Sequence, residues 1–310
     1  MRRSASSSLN CSSFSPLFTN MIVPPKLPDV RFPPVGKCIY CGTTIPPLDE
    51  EHVIPLSFGG HRILPKASCR DCGAVTGADE GHCAGRMFGA LKLHHKIRGR
   101  KRKTKTKHVI VLDGNHPQGA PAKAVAGDEA PGIVVFPILA PPRILLGLPA
   151  SDRIDLLGFH WWTTTEDARE RQQRLVEKGF VNALAFSSFE LIRFLRVLAK
   201  IAHGYDVANV GLKGSDDTLT PYILRNNLNI SYVVGGTPPN GPLPILLQIP
   251  HADTGLHQIA PFNIVINSKP FIGVQIRLFS YLKPAPPIYT VIMRPHAIPH
   301  GDFYFSIMTQ

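Results

Sequence analysis

Long apolar runs are missing from this 310-residue chain. No uninterrupted apolar stretch approaches the ~20 residues that a membrane-spanning helix needs. The longest candidates, 133–140 and 244–250, are short and broken by proline, so they read as buried strands and no membrane partner is expected. The N-terminal stretch MRRSASSSLNCSSFSP has no acidic residue and lacks the apolar core of a secretory signal. Its composition fits a transit peptide, a disordered tail, or an over-extended start with Met21 as initiator. Acidic residues are missing again further on: from Arg86 to Lys107 there are ten Lys or Arg and no Asp or Glu. No internal repeat is evident, which argues against a solenoid.

What is present is a globular composition. Apolar residues make up 44% and charged residues 18%, the balance of a folded chain, and the length favours about two domains. The 30 prolines and 26 glycines call for many loops. The net charge of +12 is concentrated in RGRKRKTKTK, residues 98–107. A polyanion is the natural partner for such a run, because each neutralised phosphate releases condensed counterions. A solvated basic linker is the competing reading.

Of the six cysteines, Cys38, Cys41, Cys69 and Cys72 form two C-x-x-C pairs with 27 residues between them. Two residues between thiolates let one turn of backbone present both sulfurs to one metal, and two such turns close a tetrahedral site for which Zn2+ is the usual occupant. Disulfides or redox motifs are disfavoured by the matched spacings around a polar loop without a secretory signal. Cys11 and Cys83 read as bystanders, Cys83 as a small core residue.

The insert between the pairs is LDEEHVIPLSFGG. Glu51-His52 opens a short apolar strand that Pro55 ends, Gly59-Gly60 turns the chain, and residues 62–64 return as a second strand. A helix is expected from Ala67 through the second knuckle. The string CIYCG…LDEEHVIPLSFGGHRILPKASCRDC resembles the HNH endonuclease superfamily, in its zinc-knuckle branch with a ββα-metal core, over about residues 36–95. The resemblance implies that His52 is the general base that activates water, a role suited to an imidazole. It implies that Glu51 ligates a catalytic divalent ion, Mg2+ or Mn2+, and that Cys38, Cys41, Cys69 and Cys72 hold structural zinc. Nucleic acid, as double-stranded DNA, is the implied partner, contacted by His61, Lys66, Arg98, Arg100, Lys101, Arg102 and Lys103. The cytoplasm of a bacterial or phage-infected cell is the implied location.

Two positions depart from the pattern. Lys66 stands about where the motif has its middle Asn, and Gly73 stands where a last metal ligand, Asn or His, follows the final Cys. Glu80 is a possible substitute ligand, with His61, Asp79 and His82 as other candidates. These departures keep open a catalytically inactive, zinc-stabilised nucleic-acid-binding protein.

The expected organisation is a flexible extension (1–34), an HNH module (35–98), a basic then Gly/Ala/Pro-rich linker (99–130) and an α+β domain with a mostly antiparallel sheet (131–310). Residues 78–97, 164–178, 187–203 and 219–227 read as helices, with Gly204 as a stop for the third. Strands are expected at 133–140, 143–148, 230–234, 245–250, 257–266, 271–280 and 288–293. Lys200, His203 and Tyr205 are noted but read as helix-end residues without chemistry. The pair Trp161-Trp162 reads as a packed aromatic pair before a base-stacking platform. A third reading places an unrelated chemistry in the C-terminal part, with the zinc module as its targeting device.

Overall fold

A computed structural model describes residues 27–97, 108–113, 122–126, 129–130, 132–164, 167–178, 183–185, 190–212, 218–247, 256–295 and 304–307. The fold is α+β. It starts with a short strand, β1 (Val30–Arg31), laid parallel to the far strand of an antiparallel hairpin made of β2 (Leu48–His52) and β3 (Arg62–Cys69). Helix α1 (Arg70–His82) follows. It begins at Arg70 and not at Ala67, because Ser68 and Cys69 are still paired with Asp49 and Leu48 and held extended.

The turn between the strands depends on its glycines. Gly59 has φ +91°, and a Cβ on Gly60 would lie 1.8 Å from the Ile54 carbonyl oxygen, so no side chain is tolerated there.

One helix over 78–97 is corrected to three pieces. After α1 comes a π-type turn at Cys83–Met87, then α2 (Gly89–His94). In the wider turn the Phe88 N–H reaches back to the Cys83 carbonyl. Phe88 is fully buried among the rings of Phe58, Phe136, Phe194 and Phe279.

The chain continues through β4 (His108–Asp113), β5 (Ala122–Ala126), β6 (Ile133–Leu139), β7 (Leu156–Thr163), α3 (Ala168–Glu177) and β8 (Ala183–Ala185). Strands β5, β4 and β8 form one small sheet, and β6 and β7 pair as another. Residues 143–146, expected as strand, form a 3₁₀ turn between Pro142 and a left-handed Gly147. Strand β7 was not anticipated: its Leu156, Leu157, Phe159 and Trp161 are exposed, so it lacks the apolar–polar alternation by which a half-buried strand is read.

Helix α4 (Leu191–Val210) is the centre of the molecule. It passes through Gly204, where a stop was expected, with that residue's bare face against the Val53 backbone. Then come α5 (Thr220–Ile223), β9 (Val234–Gly236), β10 (Gln258–Ile266), β11 (Lys269–Arg277), β12 (Tyr289–Pro295) and β13 (Tyr304–Ile307). The sheet order is β13-β10-β11-β12-β9, antiparallel except for β13 beside β10. Residues 230–232 are a 3₁₀ turn, and 245–247 carry no strand. One apolar cluster runs without a break from Cys38 and Val53 through α4 to Val291 and Met293.

Candidate functional site

The hairpin's irregular register prepares the site. Asp49 pairs with Ser68, but Glu51 pairs with Leu64, so three residues of β3 face Glu50 alone. Lys66 sits in that bulge at φ +52°, the left-handed region that Asn tolerates better than most residues. Lys66 holds this conformation without the tolerance for it that an Asn would bring. Glu50 points out to an exposed Arg31 at 2.6 Å, whereas Glu51 and His52 are buried.

The first knuckle docks along the bulge. The N–H groups of Val35, Gly36 and Ile39 donate to the carbonyls of Pro65, Lys66 and Ala67. With α1 starting at Arg70, this brings the sulfurs of Cys38, Cys41, Cys69 and Cys72 within 4.8 Å of one another, and those of Cys41 and Cys69 to 3.7 Å. Four ligand atoms at such spacing are arranged to bind one metal ion, and an all-sulfur set fits zinc. Burial pushes the Cys38 and Cys72 thiols up, and a bound dication would reverse this by stabilising the thiolates.

A second cluster forms where α4 meets the hairpin and α1. Lys200 of α4 reaches in and places Nζ 2.6 Å from Glu51 Oε1 and 2.9 Å from Glu80 Oε1. The same ammonium donates to the His52 carbonyl oxygen. Lys200 is 2% exposed. Burial alone pulls its pKa down, but the two carboxylates and their hydrogen bonds outweigh it and the net shift is upward, so the ammonium stays charged. The buried Tyr40 hydroxyl has its ionisation suppressed by burial and by the negative charge of Glu51 and Glu80, and meets no hydrogen-bond partner among the described residues.

The other residues noted in the sequence sort out by contact. Glu80 joins Glu51 through Lys200. Asp79, beside it on α1, is buried and turned to Arg225 at 2.7 Å and Arg193 at 3.5 Å. Burial raises its carboxyl pKa in spite of these arginines. His82 Nε2 accepts the Glu190 N–H at the start of α4. Gly73 lies in the first turn of α1, and a Cβ there would meet Ser68 Oγ at 3.3 Å. His61 is half-buried and Lys66 exposed on β3. Arg62, next to His61 in the chain, lies over the rings of Phe32 and Tyr205. Arg98, Arg100, Lys101, Arg102 and Lys103 lie outside the described residues.

Sequence reasoning notes Lys200 and His203 but sets them aside as helix-end residues; in the structure Lys200 joins the carboxylates and His203 Nε2 pairs with the Ile39 carbonyl of the first knuckle at 2.8 Å. The signal was the KIAH string, in which the polar residues three apart lie on one helix face, Lys200 addressing the hairpin and His203 the first knuckle.

Residues 38–88 match the family model described as HNH endonuclease. This part of the chain is an HNH module. No curated protein and no solved structure matches the chain. The HNH family's catalytic divalent ion does not fit the module's carboxylates as they stand, because Glu51 and Glu80 already share the Lys200 ammonium and Gly73 offers no ligand. No helix among the described residues is long and apolar enough to cross a membrane.

Proposed function

We propose that this protein is an HNH-type endonuclease directed at the phosphodiester backbone of DNA, with zinc held by Cys38, Cys41, Cys69 and Cys72. The observation that carries this reading is the meeting of Glu51-His52, at the end of β2, with Glu80 of α1 on a single cation inside the segment that matches the family. Taking the buried Glu51 and the half-buried Glu80 carboxylates largely out of water is costly unless they are paired, and a module that served only as a scaffold would not need them. In this reading His52 takes the proton from the attacking water. Lys200 holds the two carboxylates against the hairpin. Lys66, His61 and the basic run 98–107 meet the phosphates, for which the net charge of +12 is suited.

A second reading, a zinc-stapled module that binds nucleic acid without cutting it, is favoured by the Lys200 ammonium between the carboxylates and by Gly73. Cleavage of supercoiled plasmid separates the two. Wild type and His52→Ala are compared with Mg2+, with Mn2+ and with neither, after zinc content is shown to be equal. Nicking that disappears in His52→Ala supports the endonuclease. Wild-type protein that binds the plasmid and leaves it intact supports the second reading.

A further inference from the structure

Glu51 Oε1 and Glu80 Oε1 converge on one point, and a nitrogen occupies it. Each oxygen is within hydrogen-bond distance of Lys200 Nζ, at 2.6 and 2.9 Å, and the His52 carbonyl oxygen is the third acceptor. Three oxygens around one cation is the donor set of a hard metal ion. Mg2+ takes such ligands at about 2.0–2.1 Å, so the carboxylates would need to close by less than an ångström if the ammonium were gone. The ammonium is not a surface group that has folded inward. Its neighbours on α4, Ala199 and Ile201, are fully buried, and Lys200 itself is 2% exposed. Leaving the site would strand two carboxylates beside the buried Tyr40 hydroxyl.

We propose that Lys200 is the resident cation of this site: it takes the place between Glu51 and Glu80 where a divalent ion would sit, so the folded protein binds no divalent ion there, and removing the ammonium creates a divalent-cation site. The proposal rests on the HNH reading of Glu51 and Glu80 as a facing pair, not on hydrolysis. The charges favour it. One ammonium leaves the pair with a single net negative charge, whereas without Lys200 the two carboxylates match a dication.

The test is Mn2+ binding to the zinc-loaded full chain, read as loss of the free-ion paramagnetic resonance signal, with zinc content and circular dichroism recorded for every variant. Wild type is expected to take up no Mn2+ into the millimolar range. Lys200→Met is expected to bind one Mn2+ per chain at least tenfold more tightly than wild type, Lys200→Met/Glu80→Gln to lose that site, and Lys200→Arg, which keeps a cation, not to gain it. Wild type that binds one Mn2+, with the binding abolished by Glu80→Gln, overturns the proposal. So does a folded, zinc-replete Lys200→Met that binds none. Should Lys200→Met fail to fold, Lys200→Gln, which keeps a polar head but no charge, carries the same expectation. Plasmid left uncut by wild type would refute the endonuclease reading and leave these outcomes untouched, whereas Mn2+ bound by wild type through Glu80 would refute this proposal and leave that reading standing.

Discussion

His257 makes the stability of the fold depend on pH in a window set by its burial. The imidazole is wedged between the HNH hairpin and the large sheet. Its Nε2–H donates to the Phe58 carbonyl at 3.0 Å, its Nδ1 accepts the Phe279 N–H at 3.1 Å, and its ring lies 4.9 Å from that of Phe279. Both ring nitrogens are used by the neutral form, so a second proton would break the bond from Phe279. Burial pushes the pKa from 6.5 down to about 4. Between those two values the unfolded chain binds a proton at this residue that the folded chain refuses, so stability rises with pH across the window. The contribution is full above about pH 6.5 and is lost as the pH falls to about 4. At 1.36 kcal/mol per unit the loss is about 3 kcal/mol. Urea unfolding of wild type and His257→Gln at a series of pH values between these limits measures it. Low pH also strips metal from thiolates, but equally in both proteins, so their difference isolates the histidine. The wild type is expected to lose about 3 kcal/mol more than the variant over the window. Parallel pH profiles would refute the reasoning, since they would mean that His257 titrates alike in both states.

Three further expectations can be checked directly. Cys69→Ser is expected to lower bound zinc to well under one per chain and to loosen the hairpin, because a structural site's binding energy is folding energy; zinc released to a chromophoric chelator and near-ultraviolet circular dichroism report each. Trp162→Ala is expected to cost about 3–5 kcal/mol, the range for a buried aromatic, since Trp162 is 4% exposed and donates to the Pro284 carbonyl at 2.6 Å. Trp161→Ala, at a residue 44% exposed, is expected to stay within about 0.5 kcal/mol in thermal unfolding, as surface substitutions do.

The knuckles, the Glu51-His52 pair and the Gly59-Gly60 turn could be read from the sequence because each is a local constraint. Two thiols three apart, an acid beside a base, or a glycine at which any Cβ would meet a carbonyl oxygen at 1.8 Å leave their mark within a few residues. Glu80 was reachable by helical arithmetic from the second knuckle. Lys200 was not. It meets the His52 carbonyl across 148 positions, and a lysine between apolar helix positions reads as the solvent side. That inference assumes a helix with one wet face. Helix α4 has none over its middle, where Arg196, Lys200 and His203 are all buried, because the hairpin covers the face that the sheet leaves open. The 3₁₀ turn at residues 143–146 was misread for a similar reason: its four apolar or aliphatic-stemmed residues look like a strand, and only Pro142 and the left-handed Gly147 mark it as a turn.

Helix α4 has a consequence for how such a chain could be rearranged. The HNH module borrows from it a lysine for its acids, a histidine for its first knuckle and an arginine, Arg193, for Asp79. Cut after residue 97, the hairpin and α1 would carry three acids without their counter-charges and an aromatic face, Phe58 and Phe88, without its cover. The module is therefore not a portable cassette. Swapping it onto another scaffold, or inheriting it by fusion, would have to bring α4 along, and a substitution in the KIAH string far down the chain would act as a change in the hairpin itself.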